Sequence, residues 1–493
     1  MRKINFKGAS WDSMFLAFVK VLTILTSIIL TKILSTGLSL IEYGTYSQAN
    51  VVVSICTSFL LLGLGDALNY FYNNQTEKKI IEDKIKVVNT IYFLEIVVGI
   101  LLALFLIFIR NNIAGYFSNI LLKNIIIIIS LKPMLDNILY FYQILYISTG
   151  KAKIIAIRNL IIAIIKIIIM YIAVNILKKI EVIFLALVVL DLFQLIFFKI
   201  YFSLDCFFIN PFRIKISFIK LILRYSLPMG IFAITNVLSR DIDKLIIGKM
   251  STTEVLAIYT NCSKILPFDI IVVSFATVLI PHIMRYINNE QKKEGLLLFK
   301  NYIKIGYYSV WVFGTAVLIV SKQAIDFLYS KEYVVGNIIF ILYLFDSMLR
   351  FASMHLILTA KGESKKLMKY SIASLILNMS LNIIFYKYIG MIGPAVATLF
   401  TAFIYIYLVL NRTMEILETN WLEIFELNDI FRFILILLIS AIIIYFFNEW
   451  ILQIGVHYYL SMIISIFMFI SINFSFNIKK IMRVLKNINN LKI

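Results

Sequence analysis

Charged residues are scarce in this 493-residue chain: Asp, Glu, Lys and Arg make up 15% of it, whereas hydrophobic residues make up 61%. The mean hydropathy is +0.93, a value that excludes an ordinary soluble globular protein. Apolar runs of about 20 residues, long enough to cross the hydrocarbon core of a bilayer, recur along the chain. The sequence therefore predicts an all-α polytopic membrane protein.

Cysteine and histidine are also rare. Cys56, Cys206 and Cys262 lie in or beside apolar stretches without CxxC spacing, so we expect neither a disulfide framework nor a metal site. The 3 histidines are isolated from one another, and no catalytic residue is assigned. The connections between apolar runs are shorter than the roughly 50 residues that a domain needs. This excludes a soluble catalytic domain and places the activity within the membrane.

We predict about 14 transmembrane helices from the apolar runs. Their approximate positions are 11–31, 47–70, 87–109, 124–147, 154–176, 181–202, 221–242, 255–281, 302–321, 334–358, 368–386, 391–411, 431–448 and 457–477.

Basic residues outnumber acidic ones by 47 to 27. In a membrane protein this excess reflects the preference of cytoplasmic loops for Lys and Arg, and we expect no nucleic-acid partner. Alternate connections carry the basic clusters, among them the one that contains Lys151, Lys153 and Arg158. Both termini are therefore predicted to be cytoplasmic.

Two segments recur at an offset of 212 residues. The matched pairs are Lys32 with Lys244, Glu42 with Glu254, Gly150 with Gly362, and Lys153 with Lys365. Such a repeat predicts two six-helix lobes in parallel orientation, residues 1–210 and 211–415, with the substrate pathway between them. Residues 416–493 then form two additional helices and a basic cytoplasmic tail.

Charged residues within the predicted helices need a partner, water or a function, because a charge at the bilayer centre costs about 3 kcal/mol on insertion scales. The candidates for a cationic cavity are Lys20, Lys166, Arg240, Lys264 and Arg350. The candidates for ion coupling or for pairing are Asp66, Glu95, Asp191 and Asp346.

Two readings of these charges stay open. Lys132 with Asp136, and Asp346 with Arg350, are spaced i,i+4 and could simply neutralise each other. Lys20 and Lys166 have no acid nearby in sequence and are the better candidates for a wet cavity. A cavity lined by Lys and Arg suits an anionic cargo such as a diphosphate or an acidic sugar.

Four motifs resemble one transporter family. They are Glu42, Tyr43, Gly44 and Tyr46 after the first helix; RYSLPMGI from Arg224 to Ile231; Arg240, Asp243, Gly248 and Tyr259; and the GKAK turn from Gly150 to Lys153. Ala257 stands where the family usually has Gly. Over nearly the whole chain the sequence resembles the polysaccharide transport branch of the multidrug/oligosaccharidyl-lipid/polysaccharide (MOP) flippase superfamily, which contains the Wzx-type O-antigen and capsule repeat-unit flippases.

The resemblance implies a MATE-like fold of two lobes around a cavity that alternates between the two faces of the bacterial inner membrane. The implied cargo is an undecaprenyl-diphosphate-linked oligosaccharide, held by basic cavity residues and moved to the outer leaflet. A proton or sodium gradient could drive the cycle, without a cofactor. Arg240, Asp243 and Lys244, at the predicted outer end of helix 7, would form an interlobe gate or a static helix cap. A polysaccharide polymerase and chain-length proteins are the candidate protein partners.

Other functions remain open. Within the same superfamily the cargo could be lipid II, a teichoic-acid precursor or a drug. A polysaccharide polymerase or O-antigen ligase is also polytopic, but such enzymes typically need a long outer loop that this sequence does not have. A scaffold for envelope assembly without transport is the third alternative, and the intramembrane charges argue against it.

Overall fold

A computed structural model describes residues 6–61, 63–73, 84–264, 266 and 270–490, and most of these residues are helical, with no β-strand among them. The chain divides into two compact units, Met1–Ala257 (unit 1) and Ile258–Ile493 (unit 2).

Unit 1 contains ten helices among its described residues, three of which have ten residues or fewer. They are α1 (Phe6–Gly37), α2 (Leu40–Leu61), α3 (Leu64–Asn73), α4 (Lys84–Phe108), α5 (Arg110–Tyr116), α6 (Leu121–Ile129), α7 (Lys132–Ser148), α8 (Ala152–Ile172), α9 (Ile180–Asp205) and α10 (Ile216–Met250). A π-helical turn, Ala173–Leu177, extends α8. Helix α11 (Thr253–Cys262) contains the boundary between the units.

The helices of unit 2 are numbered on from those of unit 1. They are α12 (Ile270–Asn288), α13 (Lys292–Gly306), α14 (Val312–Ile319), α15 (Ser321–Leu328), α16 (Asn337–Leu349), α17 (Leu356–Lys361), α18 (Ser364–Ile389), α19 (Gly393–Leu417), α20 (Trp421–Ile424), α21 (Leu427–Gln453) and α22 (Tyr458–Asn490). The π-helical turn Tyr307–Trp311 joins α13 to α14.

Helix α7 lies at the centre of unit 1, where it packs against α2, α4 and α9. Its residues Phe141, Tyr142, Leu145 and Tyr146 are fully buried. Helices α1 and α8 pack against each other, and α8 exposes isoleucines such as Ile161 and Ile168. Exposed hydrocarbon of this kind is stable only against lipid, so it agrees with a membrane-embedded unit.

The core of unit 2 is built around α13 and α14, which pack against α22 and, for α13, against α12. Leu298, Phe299 and Tyr302 are fully buried there. Helices α18 and α19 form one antiparallel hairpin, and α21 and α22 form a second one. The last hairpin corresponds to the two additional helices predicted from the sequence.

The prediction of an all-α polytopic membrane protein is confirmed. Among the described residues, 9 helical stretches are long and apolar enough to cross a membrane, or 10 if the bent pair α2–α3 counts as one span. Within the described residues, each predicted span overlaps a helix or consecutive helices. Several spans that we expected to be continuous are broken, and the break before α7 has a direct cause, since Pro133 in its first turn has no N–H to extend α6.

The predicted boundary at the charged cluster was wrong. The seventh span was expected to end at 242, with its charged cluster at the helix end, but α10 continues to Met250. The charges lie about two turns before the end, because ion pairing within the cluster lets the helix continue through them. The division into lobes at 1–210 and 211–415, followed by 416–493, remains a prediction.

Candidate functional site

The charges buried in unit 1 are centred on Lys132. Its Nζ atom lies 2.5 Å from Oδ1 of Asp136, one turn later on α7, and 2.7 Å from Oδ2 of Asp191 on α9. The i,i+4 pair suggested by the sequence therefore forms. A buried cation with two carboxylate partners is far cheaper than a single unpaired charge.

This ion pair continues into a longer hydrogen-bonded network. Nε2 of Gln194 donates to Oδ1 of Asp191 at 3.0 Å, and Nε of Arg158 donates to Oε1 of Gln194 at 3.0 Å. The guanidinium of Arg158 also lies 5.2 Å from the ring centroid of Phe198. The network therefore joins α7, α9 and α8, and it fixes the position of Arg158 on α8.

A cavity of about 290 Å³ lies next to Arg158, between α1 and α8. Its polar lining consists of Thr23, Thr26, Ser27, Arg158, Asn159 and Lys166. Lys166, one of the two best sequence candidates, lines this cavity, and among the described residues it forms no ion pair. With Lys132, Arg158 and Lys166 set against Asp136 and Asp191, the region carries an excess of positive charge.

The hydroxyl groups of α1 have a defined role in this cavity. Thr23 Oγ1 donates to the carbonyl of Val19 at 2.8 Å, and Thr26 Oγ1 donates to that of Thr23 at 2.8 Å. Since their hydrogens are used within the helix, these oxygens present lone pairs to the cavity. One wall therefore offers hydrogen-bond acceptors, and the other offers cationic donors.

Two further acidic candidates of unit 1 have different environments. Asp66 lies on α3 and is exposed. Glu95 lies on α4 and is only 1% exposed, and its Oε2 atom has no hydrogen-bond partner among the described residues. Glu95 is therefore a buried acid that forms no ion pair among the described residues.

The charged cluster of α10 is organised around Asp241, which was not among the candidates. Oδ1 of Asp241 lies 2.7 Å from Nζ of Lys244, and its Oδ2 lies 3.5 Å from Nη2 of Arg240. Ser54 of α2 donates to the same carboxylate at 3.0 Å. Asp243 is buried, and its side chain accepts a hydrogen bond from the backbone N–H of Lys244.

The candidates of unit 2 also have partners. Nε of Arg350 donates to both carboxylate oxygens of Asp346 at 3.0 Å, so this predicted i,i+4 pair forms as well. Nζ of Lys264 donates to Oδ1 of Asn261 at 2.9 Å. Lys264 and Arg350 belong to unit 2 and are not among the residues that line the unit-1 cavity. The side chain of Lys20 lies outside the described residues.

Sequence reasoning missed Arg158, Asn159, Gln194 and the hydroxyl groups of α1. Arg158 was counted as a loop cation, but it lies in the second turn of α8. A signal was present, because Arg158 and Lys166 are eight residues apart and so share one face of a helix. The bond to Gln194 had no such signal.

A family model described as "Polysaccharide biosynthesis protein" matches residues 29–337 of the chain. No curated protein sequence matches the chain.

Several solved structures share the fold. One is the lipid II flippase MurJ in an inward closed conformation, with a TM-score of 0.72 and 16% identity, covering 95% of this chain and 99% of that chain. A second is a multidrug resistance MATE family transporter of the MOP superfamily in an inward-facing conformation, with a TM-score of 0.66 and 14% identity over 81% of this chain and 96% of that one. A MOP superfamily transporter from Pyrococcus furiosus gives a TM-score of 0.57 at 14% identity, covering 83% and 94%. These likenesses confirm the predicted MATE-like fold.

Proposed function

The chain belongs to the polysaccharide biosynthesis protein family, and from this premise we propose that it is a flippase for a lipid-linked oligosaccharide. The cargo is an undecaprenyl-diphosphate-linked repeat unit of a surface polysaccharide such as an O-antigen or a capsule. The protein moves this cargo from the cytoplasmic to the outer leaflet of the bacterial inner membrane by alternating access. It acts as a transporter and not as an enzyme.

The observation that carries the proposal is the cavity between α1 and α8. Arg158 and Lys166 supply cationic donors for phosphate oxygens, and a guanidinium matches the geometry of a phosphate. The hydroxyl oxygens of Thr23 and Thr26 accept hydrogen bonds, as sugar hydroxyl groups require. A cargo that carries both a diphosphate and a sugar uses both walls.

The extent of the structural likeness supports a lipid-linked cargo over a drug. The lipid II flippase structure covers 95% of this chain, whereas the MATE transporter structure covers 81%. Lipid II is itself a polyprenyl-diphosphate-linked saccharide, so it is the second candidate cargo. The family described for polysaccharide biosynthesis favours the repeat unit.

Charged residues elsewhere take supporting roles in this proposal. Glu95, buried without a base among the described residues, is the preferred candidate for coupling transport to a proton gradient. Arg240, Asp243 and Lys244 form the outer gate, with Asp241 holding the two bases in place. Both termini are cytoplasmic, and a polymerase and chain-length proteins receive the product on the outer side.

The test is to deplete the protein and determine in which leaflet lipid-linked oligosaccharide accumulates. A membrane-impermeant sugar-modifying reagent, applied to spheroplasts, labels only units on the outer face. We expect completed repeat units to be trapped on the cytoplasmic side, where mass spectrometry of the extracted lipid identifies the cargo. If lipid II is trapped there instead, lipid II is the cargo. Unpolymerised units on the outer face would contradict transport and favour a polymerase.

A further inference from the structure

Unit 1 contains a second cavity, which the proposed transport does not use. It has a volume of about 640 Å³ and lies between α2, α4, α5 and the last turns of α10. Phe59, Phe105, Leu106, Ile113 and Leu245 contribute to its walls. Apart from Cys56, Asn112 and Tyr116, every lining residue has a hydrocarbon side chain. The cavity between α1 and α8 is formed by other helices.

This cavity is open at one side, and a hydrogen bond links two of its helices. Phe59 is 47% exposed and Phe105 is 54% exposed, so the cavity opens to the surroundings of the helices. Tyr116 Oη donates to the backbone carbonyl of Leu245 at 3.2 Å, a bond that ties α5 to α10. An apolar cavity with so few polar groups does not hold water, because a water molecule needs two to four polar partners. In a bilayer, the acyl chains of the surrounding lipids are available to fill it.

Two basic residues neighbour residues that line the same cavity. Nζ of Lys249 lies 5.2 Å from the ring centroid of Tyr116, which lines the cavity. Arg110 begins α5 and follows the lining residue Ile109 directly. Among the described residues neither cation forms an ion pair. The walls of the cavity are therefore apolar, with Lys249 beside the lining residue Tyr116 and Arg110 next in sequence to the lining residue Ile109.

We propose that this cavity is a binding site for an anionic glycerophospholipid of the membrane. One acyl chain lies between Phe105, Ile113 and Leu245, and the phosphate lies against Lys249 and Arg110. An acyl chain packs against these apolar walls whatever headgroup it carries, so the chain alone does not select between lipids. The two cations select an anionic headgroup over a zwitterionic one, with about a fivefold preference for each cation.

The experiment uses the purified full chain in detergent and phosphatidylglycerol that carries a photoactivatable diazirine in one acyl chain. After irradiation, the labelled residues are located by mass spectrometry of peptides. Unlabelled phosphatidylglycerol and phosphatidylcholine with identical chains then compete for the site. We expect labels on α4 and α5 near Phe105 and Ile113, with phosphatidylglycerol competing at least about fivefold better than phosphatidylcholine.

Three variants separate the parts of the proposal. Cys56→Trp fills the cavity and should remove the labels, while the double variant of Arg110→Gln and Lys249→Gln should keep them and abolish the preference between lipids. Lys179→Gln, an exposed cation before α9, is the matched control and should behave like the wild type. Each variant is first shown by size-exclusion chromatography to be folded. Equal competition by the two lipids in the wild type, or labels outside the cavity, would overturn the proposal.

Discussion

Nζ of Lys132 lies 2.7 Å from Oδ2 of Asp191, and this contact joins the central helix α7 of unit 1 to α9. The side chain of Asp191 is only 4% exposed and that of Lys132 is 16% exposed. Asp191 also accepts the hydrogen bond from Gln194 that leads to Arg158. One carboxylate therefore neutralises a buried cation and also positions a cation of the candidate cargo site.

The first prediction concerns stability. Asp191→Asn leaves Lys132 with Asp136 as its remaining acid, and loss of one partner from a buried pair costs about 3 kcal/mol or more. We expect a clear fall in the thermal unfolding midpoint of the purified protein in detergent. Asp66→Asn, which changes an exposed acid, is the control and should shift the midpoint little. If the midpoint of Asp191→Asn falls as little as that of the control, the Lys132–Asp191 pair does not stabilise the fold.

The second prediction concerns cargo binding at Lys166. Lys166→Gln removes a cation from the cavity between α1 and α8, and hydrogen bonds to charged groups contribute about 1.5–3 kcal/mol, so transport should fall at least about tenfold. The measurement is export of lipid-linked oligosaccharide by cells that produce only the variant, at equal protein levels in the membrane. The additional substitution Lys20→Gln should abolish export.

Two controls make the second prediction specific. Lys166→Arg keeps the charge and should retain most of the export, whereas Lys179→Gln removes an exposed cation and should have no effect. Normal export by the double Lys20 and Lys166 variant would exclude the cationic cavity as the cargo site.

Much of the fold could be predicted because hydropathy and internal repeats can be read directly from the sequence. Gly150 and Gly362, matched at the 212-residue offset, both have a φ of 78°, in the left-handed region that glycine tolerates best. Gly150 lies just before α8 and Gly362 just before α18, so the matched turns start long helices in both halves of the sequence. Gly44 also has a physical reason, because a Cβ atom there would lie 2.0 Å from the carbonyl oxygen of Thr253.

The candidate site was predictable only in part, because its contacts are tertiary. Lys166 could be singled out as a charge in an apolar run without a nearby acid. For Arg158 the only signal was its eight-residue spacing from Lys166, since its contact with Gln194, 36 residues later on another helix, has no counterpart in the sequence pattern. Asp241 was not among the sequence candidates, and only the distances to Lys244 and Ser54 show that Asp241 is the centre of its cluster.

The third prediction concerns coupling at Glu95. Because this carboxyl is buried without a base among the described residues, a proton gradient can drive its protonation and release. Glu95→Gln fixes the neutral form and should make transport in proteoliposomes insensitive to an imposed pH gradient, while thermal stability is unchanged. Asp66→Asn should keep the response to the gradient. If the Glu95→Gln variant still responds to the pH gradient, another group carries the proton; a response to a sodium gradient alone would exclude proton coupling.

The fourth prediction concerns the connection between α17 and α18, at Glu363. Nε of Arg412 donates to Oε2 of Glu363 at 2.7 Å, and this hydrogen bond lowers the pKa of the Glu363 carboxyl below its ordinary value near 4.5. A carboxyl whose pKa is lower in the folded state stabilises the fold above its unfolded pKa, and that stabilisation is lost as the pH falls through the folded value. The pair lies at the surface, so its contribution is about 1 kcal/mol or less.

Glu363→Gln should therefore lower the thermal unfolding midpoint at pH 7, and the difference from the wild type should shrink as the pH is reduced below about 4. Glu415→Gln removes a more exposed acid that also pairs with Arg412, and it is the matched control with a smaller expected effect. A difference that stays constant between pH 7 and pH 3 would mean that Glu363 stabilises the fold through packing, since only its charge is lost on acidification.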